Sequence, residues 1–307
     1  MSLRALYDVP APAKLNLFLH VIGRRADGYH LLQSVFALID WADILHFERR
    51  DDARIARHDL GAALPEDDLC LRAARALQLA SGSPRGVDIS IAKRVPWGAG
   101  LGGGSSDAAS TLLALNRLWG LNWPRKRLQA LAVKLGADVP FFVGGRNAWV
   151  EGIGEQLTPI ELAPRRYAVL KPAAVIPTAA IFASPLLARD SAPAILSDFL
   201  ADPPRFLSGV GRNDLQLAAQ AASSEVAQAL ALLASRYGAS RMTGSGSAVF
   251  ADAGAEAGAD ESGFAGKSAT GDAPVAPMFE PHELPSGWVG RMCRGLERHP
   301  LVGWCAD

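Results

Sequence analysis

Arg94-Val-Pro-Trp-Gly-Ala-Gly-Leu-Gly-Gly-Gly-Ser-Ser-Asp-Ala-Ala-Ser110 is the stretch on which the reading of this chain turns. Five glycines, Gly98, Gly100, Gly102, Gly103 and Gly104, run directly into Ser105, Ser106 and Asp107, and a helical run from Ala108 to Trp119 follows and stops at Gly120. Glycine lets another group approach the backbone closely, because no Cβ stands in the way. A glycine loop opening onto a helix start offers unpaired N–H groups and the positive end of the helix dipole, which together suit a phosphate. A strand-to-helix turn with no ligand needs one or two glycines rather than five.

Known glycine-loop designs separate on the residues present. A Walker A loop fails, because counting from Gly98 its lysine position holds Gly104. Gly98-x-Gly100-x-x-Gly103 matches the dinucleotide pattern, but that design wants an acid roughly 20 residues further on for the ribose. No Asp or Glu lies between Asp107 and Asp138. Protein kinases also carry a glycine loop, yet the chain has neither an H-R-D nor a D-F-G motif.

At 307 residues the chain is long enough for two domains. Its 49% hydrophobic and 20% charged residues describe an ordinary globular protein, and a formal net charge of zero offers no basic field for nucleic acid or an acidic membrane. Cys70, Cys293 and Cys305 share no metal-type spacing, which points to a reducing compartment and a cytoplasmic address. The N-terminus does not read as an export signal, since Pro10, Pro12, Lys14 and Asn16 interrupt its apolar residues. No run approaches membrane-spanning length. A monomer and a homodimer are equally compatible with these features.

Upstream of the loop, Ala13 to Ile22 reads as a strand with Leu15, Leu17, Leu19 and Val21 on one face and Lys14, Asn16, Phe18 and His20 on the other. On its own residues this fits an edge strand with a solvated face. Gly23 to His30 is a turn-rich connection in which Tyr29 and His30 read as surface residues. Asp67–Leu79 has helical spacing, and Val87–Val95 is a strand that delivers the chain to the glycine loop. Trp97, at the loop's threshold, is equally an adenine wall or a packing residue.

Downstream, Pro124–Leu135 is a helix, with Pro124 in its first turn and Gly136 as its stop. Asp138, alone between that helix and an apolar segment, reads as a turn or capping aspartate. Gly144-Gly145 is expected to join Phe141–Val143 to Asn147–Val150 as a hairpin. Loop composition from Glu155 to Pro164 marks a boundary between domains 1–162 and 163–307. In the second, Arg166–Pro172 is a strand, Phe182 reads as core, Glu225–Tyr237 is a helix ended by Gly238, and Met242–Phe250 is a glycine turn entering a strand. Residues 251–286 have the composition of a flexible insertion, and Trp288–Cys305 returns to the fold as a strand or helix.

The string P-x-G-A-G-L-G-G-G-S-S-D-A from Pro96 resembles the phosphate loop of the GHMP kinases, the small-molecule kinases of galactose, homoserine, mevalonate and phosphomevalonate. Pro12-Ala-Lys-Leu-Asn-Leu17, R-x-D-G-Y-H ending at His30, G-A-D-V-P-F-F from Gly136 and I-P-T-x-x-I-F ending at Phe182 resemble the branch whose alcohol substrate carries a cytidine diphosphate. Apart from the insertion, the likeness covers the chain from about Pro12 to Phe250 and the short tail. It implies an α+β, two-domain fold, with an N-terminal domain like ribosomal protein S5 domain 2, a ferredoxin-like C-terminal domain and the active site in the cleft between them. The implied activity is ATP-dependent phosphorylation of the 2-hydroxyl of 4-diphosphocytidyl-2-C-methyl-D-erythritol, in isoprenoid precursor synthesis.

Carried over residue by residue, the resemblance implies ATP at Pro96, Gly98, Ala99, Gly100, Leu101, Gly102, Gly103, Gly104, Ser105 and Ser106, with Mg²⁺ and Ser106 as its ligand. Lys14 would lie at the reacting hydroxyl, and Asp138 would accept its proton. Asn16 would line the site, Tyr29 and Phe182 would stack on the cytosine and His30 would bind its edge. Thr178, Gly244 and Ser245 would bound the same pocket. The competing readings are a kinase for a sugar or mevalonate-like alcohol, a non-catalytic nucleotide-binding regulator, and an RNA-binding module; the last is disfavoured by the neutral charge.

Overall fold

The computed structural model describes residues 3–255, Phe279 and residues 283–307. Its organising element is a long antiparallel pair, β1 (Ala5–Arg24) and β2 (His30–Arg50). β1 is interrupted by register shifts between Leu6/Val9, Pro12/Lys14, Asn16/Leu19 and Val21/Gly23. Prolines 10 and 12 cannot donate to a ladder, and bulges of this kind bend a strand and re-aim its side chains. Beyond β2 the chain gives β3 (Ile55–Asp59), α1 (Leu69–Ser81), β4 (Gly86–Ala92), α2 (Gly103–Leu118), α3 (Arg125–Ala132), α4 (Val139–Gly144), β5 (Ala148–Glu151) and β6 (Gln156–Pro159). It continues through β7 (Arg165–Lys171), α5 (Thr178–Ala183), α6 (Leu196–Ala201), α7 (Pro203–Arg205), α8 (Gln216–Ala222), α9 (Ser224–Tyr237), β8 (Arg241–Met242), β9 (Val249–Ala255) and β10 (Val289–Leu296).

The strands form one sheet in the order β3-β4-β2-β10-β7-β9-β8, with β1 and β5 also on β2 and β6 on β5. Among these pairings only β3–β4 is parallel. The last strand joins the two halves: β10 pairs with β7 along Val289–Arg294 and with β2 at Gly295 and Leu296. The remaining tail packs back on the N-terminal half, where Leu301, Trp304 and Cys305 join the core beneath α1–α4.

That core fills one face of the sheet, with α2 buried on almost every side between α1, α4 and β1. Phe18, Trp149, Phe199 and Phe206 form an aromatic cluster on the opposite face, with centroids 5.3–6.2 Å apart. A third core lies between β7, β9, α8 and α9. Each such ring contact adds about 0.5–1.5 kcal/mol beyond the area it buries.

Four expectations change. The second face of β1 is not solvated: Lys14, Asn16, Phe18 and His20 are all buried. The strand's free edge is covered instead, by bonds from Lys14 N to Leu101 O at 2.9 Å and from Leu19 N to Arg212 O at 2.9 Å. The expected hairpin after Asp138 is the short helix α4. Pro140 cannot serve a ladder but suits a first helical turn, and Gly145 closes the helix in the left-handed region at φ 71°. Pro124 caps α3 rather than sitting within it. Residues 251–255, read from composition as insertion, are the end of β9, and most of the rest of that segment lies outside the described residues.

Candidate active site

The glycine loop folds tighter than a plain turn. Gly100 takes φ 73°, and a Cβ there would stand 2.2 Å from Thr243 O. Gly102 caps α2 at φ 73°, and its missing side chain leaves room for Lys14 and Phe142 at 3.2 and 3.1 Å. The segment after β8 is the reason for the first restriction. Ser247 N donates to Gly98 O at 3.2 Å and Ala248 N to Ala99 O at 3.1 Å, so two glycine turns from distant parts of the chain are zipped together. α2 begins at Gly103, inside the glycine run rather than at Ala108. Its first N–H groups are left without helical partners.

On one side of this loop is a groove of about 470 Å³, and on the other a cavity of about 810 Å³. Pro96, Gly98, Ala99, Gly100, Leu101, Gly102, Gly103, Gly104 and Ser105 line the groove, with half-exposed Trp97 at its margin. Lys14, Asn16, Tyr29, His30, Asp138, Thr178, Phe182, Gly244 and Ser245 line the cavity. Gly100, Gly102, Thr178 and Ser245 belong to both, and the Thr178 and Ser245 hydroxyls are 2.8 Å apart at this seam.

Lys14 and Asp138 meet beside the seam. The Lys14 ammonium is 3.6 Å from Asp138 Oδ2, donates to Asn16 Oδ1 at 2.5 Å and lies 4.6 Å from the centre of the Phe36 ring. Burial pushes its pKa below the ordinary lysine value, and the Asp138 carboxylate opposes that shift. Asn16 is oriented in turn, because its Nδ2 donates to Ser34 Oγ at 2.9 Å while its backbone N–H donates to Thr243 Oγ1 at 2.9 Å. Asp138 stands at the start of α4, yet its carboxylate caps nothing and is 29% exposed. A cation and a proton acceptor therefore flank one point that a hydroxyl can reach from the cavity.

The far end of the cavity is aromatic. Tyr29 is 61% exposed on its rim, and the His30 and Phe182 rings stack with centroids 5.0 Å apart and planes 28° apart. Phe182, which reads as core from sequence, is thus a cavity residue. Ser106 departs from expectation in the other direction. It is fully buried, off the groove, and its hydroxyl donates to Pro12 O at 2.7 Å. Starting α2 at Gly103 turns that side chain toward β1 and away from the groove where a metal would sit.

One cluster escaped the sequence reading. Lys93 joins Asp43 and Asp107, the latter at 2.6 Å, and Asp43 Oδ1 also accepts Arg94 N at 2.6 Å and Val95 N at 2.8 Å. This carboxylate fastens the chain as it approaches the glycine loop. Burial raises the pKa of Asp107 well above the usual carboxylate range, against the pull of Lys93. Both Lys93 and Asp107 line the groove, and Asp107 Oδ1 has no hydrogen-bond partner among the described residues. Positions 43, 93 and 107 share no local spacing that would have linked them.

Residues 68–146 match the GHMP kinases N terminal domain and residues 196–260 the GHMP kinases C terminal domain. The 4-diphosphocytidyl-2-C-methyl-D-erythritol kinase of Methylibium petroleiphilum is 71% identical over 304 residues, covering 99% of each chain. Its namesake from Albidiferax ferrireducens is 54% identical over 305 residues, covering 99% of this chain and 97% of that one. A crystal structure of 4-(cytidine 5'-diphospho)-2C-methyl-D-erythritol kinase superposes with a TM-score of 0.70 at 39% identity, over 78% of this chain and 88% of the other. The two-domain GHMP kinase fold is therefore the fold of this molecule, and the chain belongs to the GHMP kinases and, within them, to the 4-diphosphocytidyl-2-C-methyl-D-erythritol kinase family.

Proposed function

We propose that the chain transfers the terminal phosphoryl group of ATP to the 2-hydroxyl of 4-diphosphocytidyl-2-C-methyl-D-erythritol. The observation that carries this reading is the Lys14–Asp138 pair, 3.6 Å apart, beside the seam of a glycine-rich groove and a side-chain-lined cavity. ATP takes the groove, with its phosphates against the N–H groups of Gly100–Ser105 and the start of α2. The cytidine diphosphate alcohol takes the cavity, its base among Tyr29, His30 and Phe182. Thr178, Gly244 and Ser245 bound the passage between the two.

Phosphoryl transfer asks for in-line positioning and charge neutralisation more than covalent chemistry from the protein. Asn16 holds the Lys14 ammonium toward the hydroxyl, where it stabilises the developing alkoxide and the phosphoryl oxygens. Asp138 receives the proton. Mg²⁺, which neutralises phosphate charge when bound, is held by one or two carboxylates plus substrate phosphates in sites of this kind. Asp107, which lines the groove and keeps a buried, unpartnered oxygen, would serve in that role once ionised; Ser106, off the groove, would not. We place the enzyme in the cytoplasm, which suits three cysteines present as free thiols.

The test is turnover of the purified chain with ATP and the diphosphocytidyl alcohol, beside the same alcohol without its cytosine. ADP and the 2-phosphate should form efficiently only with the cytosine present. Equal turnover of a sugar or a mevalonate-like alcohol would transfer the activity to another GHMP branch, and binding of ATP without any turnover would favour a regulator.

A further inference from the structure

The aromatic end of the cavity contains a residue to which neither the motifs nor the mechanism assigns a role. Arg189 follows α5 in an irregular segment, and its guanidinium is held in place by backbone carbonyls of that segment and of the end of α5. Nη1 donates to Leu187 O at 3.1 Å, while Nη2 donates to Phe182 O at 3.1 Å and to Ser184 O at 3.0 Å. Nε donates to His30 Nε2 at 3.3 Å. A guanidinium has no acceptor and does not lose its proton in a protein. His30 Nε2 must therefore present a lone pair, which leaves the ring proton of the neutral imidazole on Nδ1.

We propose that Arg189 is a positioning residue for base recognition: by donating to Nε2 it fixes His30 as the Nδ1–H tautomer, and so makes the cavity select a base that offers an acceptor to that proton. This rests on the reading of the cavity as a cytidine site. Cytosine offers N3 as an acceptor on its pairing edge, whereas uracil carries a proton at N3 and would set donor against donor. A site built to satisfy a particular hydrogen bond rejects the analogue that leaves it unpaired far more strongly than an apolar pocket rejects a change of size.

The surroundings keep the imidazole neutral. Burial, followed by the positive charges of Arg189 and Arg24, holds its pKa below the usual imidazole value. Asp27, the acid of the same loop, is engaged with Arg25 at 2.7 Å. The stacked Phe182 ring fixes the imidazole plane, and the same Arg189 grips Phe182 through its carbonyl. One side chain thus aligns two of the three base-binding groups.

Two measurements on the full-length chain test this. In ring-¹⁵N-labelled natural protein, the His30 shifts should report a proton on Nδ1 and an acceptor at Nε2; in R189M the ring should lose that preference. In kinetics, R189M should lower the ratio of kcat/KM for the cytidine substrate to that for its uridine analogue by about tenfold or more, through KM, with kcat nearly unchanged. A proton on Nε2 in the natural protein overturns the proposal, whether or not R189M folds. So does an R189M variant that keeps the full base preference, or one that loses activity on both substrates alike. If the natural enzyme itself treats cytidine and uridine alike, the cytidine reading of the cavity fails and this inference fails with it. If it prefers cytidine and R189M does so equally, only the assignment to Arg189 falls.

Discussion

The groove and the cavity on either side of the glycine loop are built in opposite ways. The groove gathers six glycines and a helix start, with the N–H groups these expose, beside side chains such as Leu69, Lys93 and Trp97. The cavity is made of side chains brought from β1, the Tyr29 loop, the start of α4 and α5. A phosphate is bound well by amides and a dipole, and needs little that is particular to one sequence. A base and a reacting hydroxyl need a stacking face, an edge partner, a cation and a proton acceptor, each at its own position. The difference teaches where substrate identity resides in this fold, and it can be tested by perturbing one side at a time.

Asp138 apart, the largest effect is expected from Lys14→Met, on the cavity side of the seam. Removing one preorganised charge from a transferring group costs on the order of 10²–10³ in kcat, and ATP affinity in the groove should hardly change. The natural enzyme should also lose activity as pH rises through the Lys14 pKa, which burial sets below the ordinary 10.5. Because the active form is the ammonium, this loss must appear at lower pH than an exposed lysine would give. A pH–rate profile with that alkaline limb in the natural enzyme but not in the variant sharpens the contrast; the same limb in both removes Lys14 from it.

Gly100→Ala tests the backbone side. A Cβ 2.2 Å from Thr243 O at φ 73° cannot be accommodated without separating the two glycine turns. The expected loss is about 2–4 kcal/mol of stability together with weakened nucleotide binding. Denaturant titration and nucleotide calorimetry measure both, and an unaffected groove would show that the interlock does not shape it.

Smaller effects are expected at the rim. Tyr29→Ala and Phe182→Ala should each raise KM for the cytidine substrate on the order of tenfold, as lost base stacking does, with kcat and the KM for ATP almost unchanged. An unchanged substrate KM in both would remove the stacking role. Least affected should be Ser106→Ala, which loses one hydrogen bond to Pro12 O and roughly 1 kcal/mol of stability. Its Mg²⁺ requirement should match the parent; a higher requirement would return Ser106 to the metal.

The same contrast explains how much could be read from sequence. The glycine loop of the groove was legible because its residues are contiguous and glycine's role is local. The cavity was not, because contacts between distant segments give its residues their meaning. Lys14 and Asn16 lie on a strand whose alternation is plain, but Leu101 and Arg212 close its free edge and Phe18 meets the aromatic cluster around Phe199, all far along the chain. Phe182 has the composition of a core residue and becomes a cavity wall only where α5 faces the Tyr29 loop. Without the family likeness, Asp138 reads as a turn residue, although Pro140 already carried the signal for the helix it begins. Lys93, Asp43 and Asp107 had no local pattern at all.

The central claim is that Asp138 accepts the hydroxyl proton across the seam from ATP, and Asp138→Asn tests it most directly, because the amide keeps the shape but not the basicity. Rapid-quench single turnover with saturating ATP and diphosphocytidyl alcohol, alongside calorimetric binding of both ligands, should give near-parental affinities and a transfer rate lower by a factor on the order of 10²–10⁴. Transfer at the parental rate, with both ligands bound as before, would contradict the account.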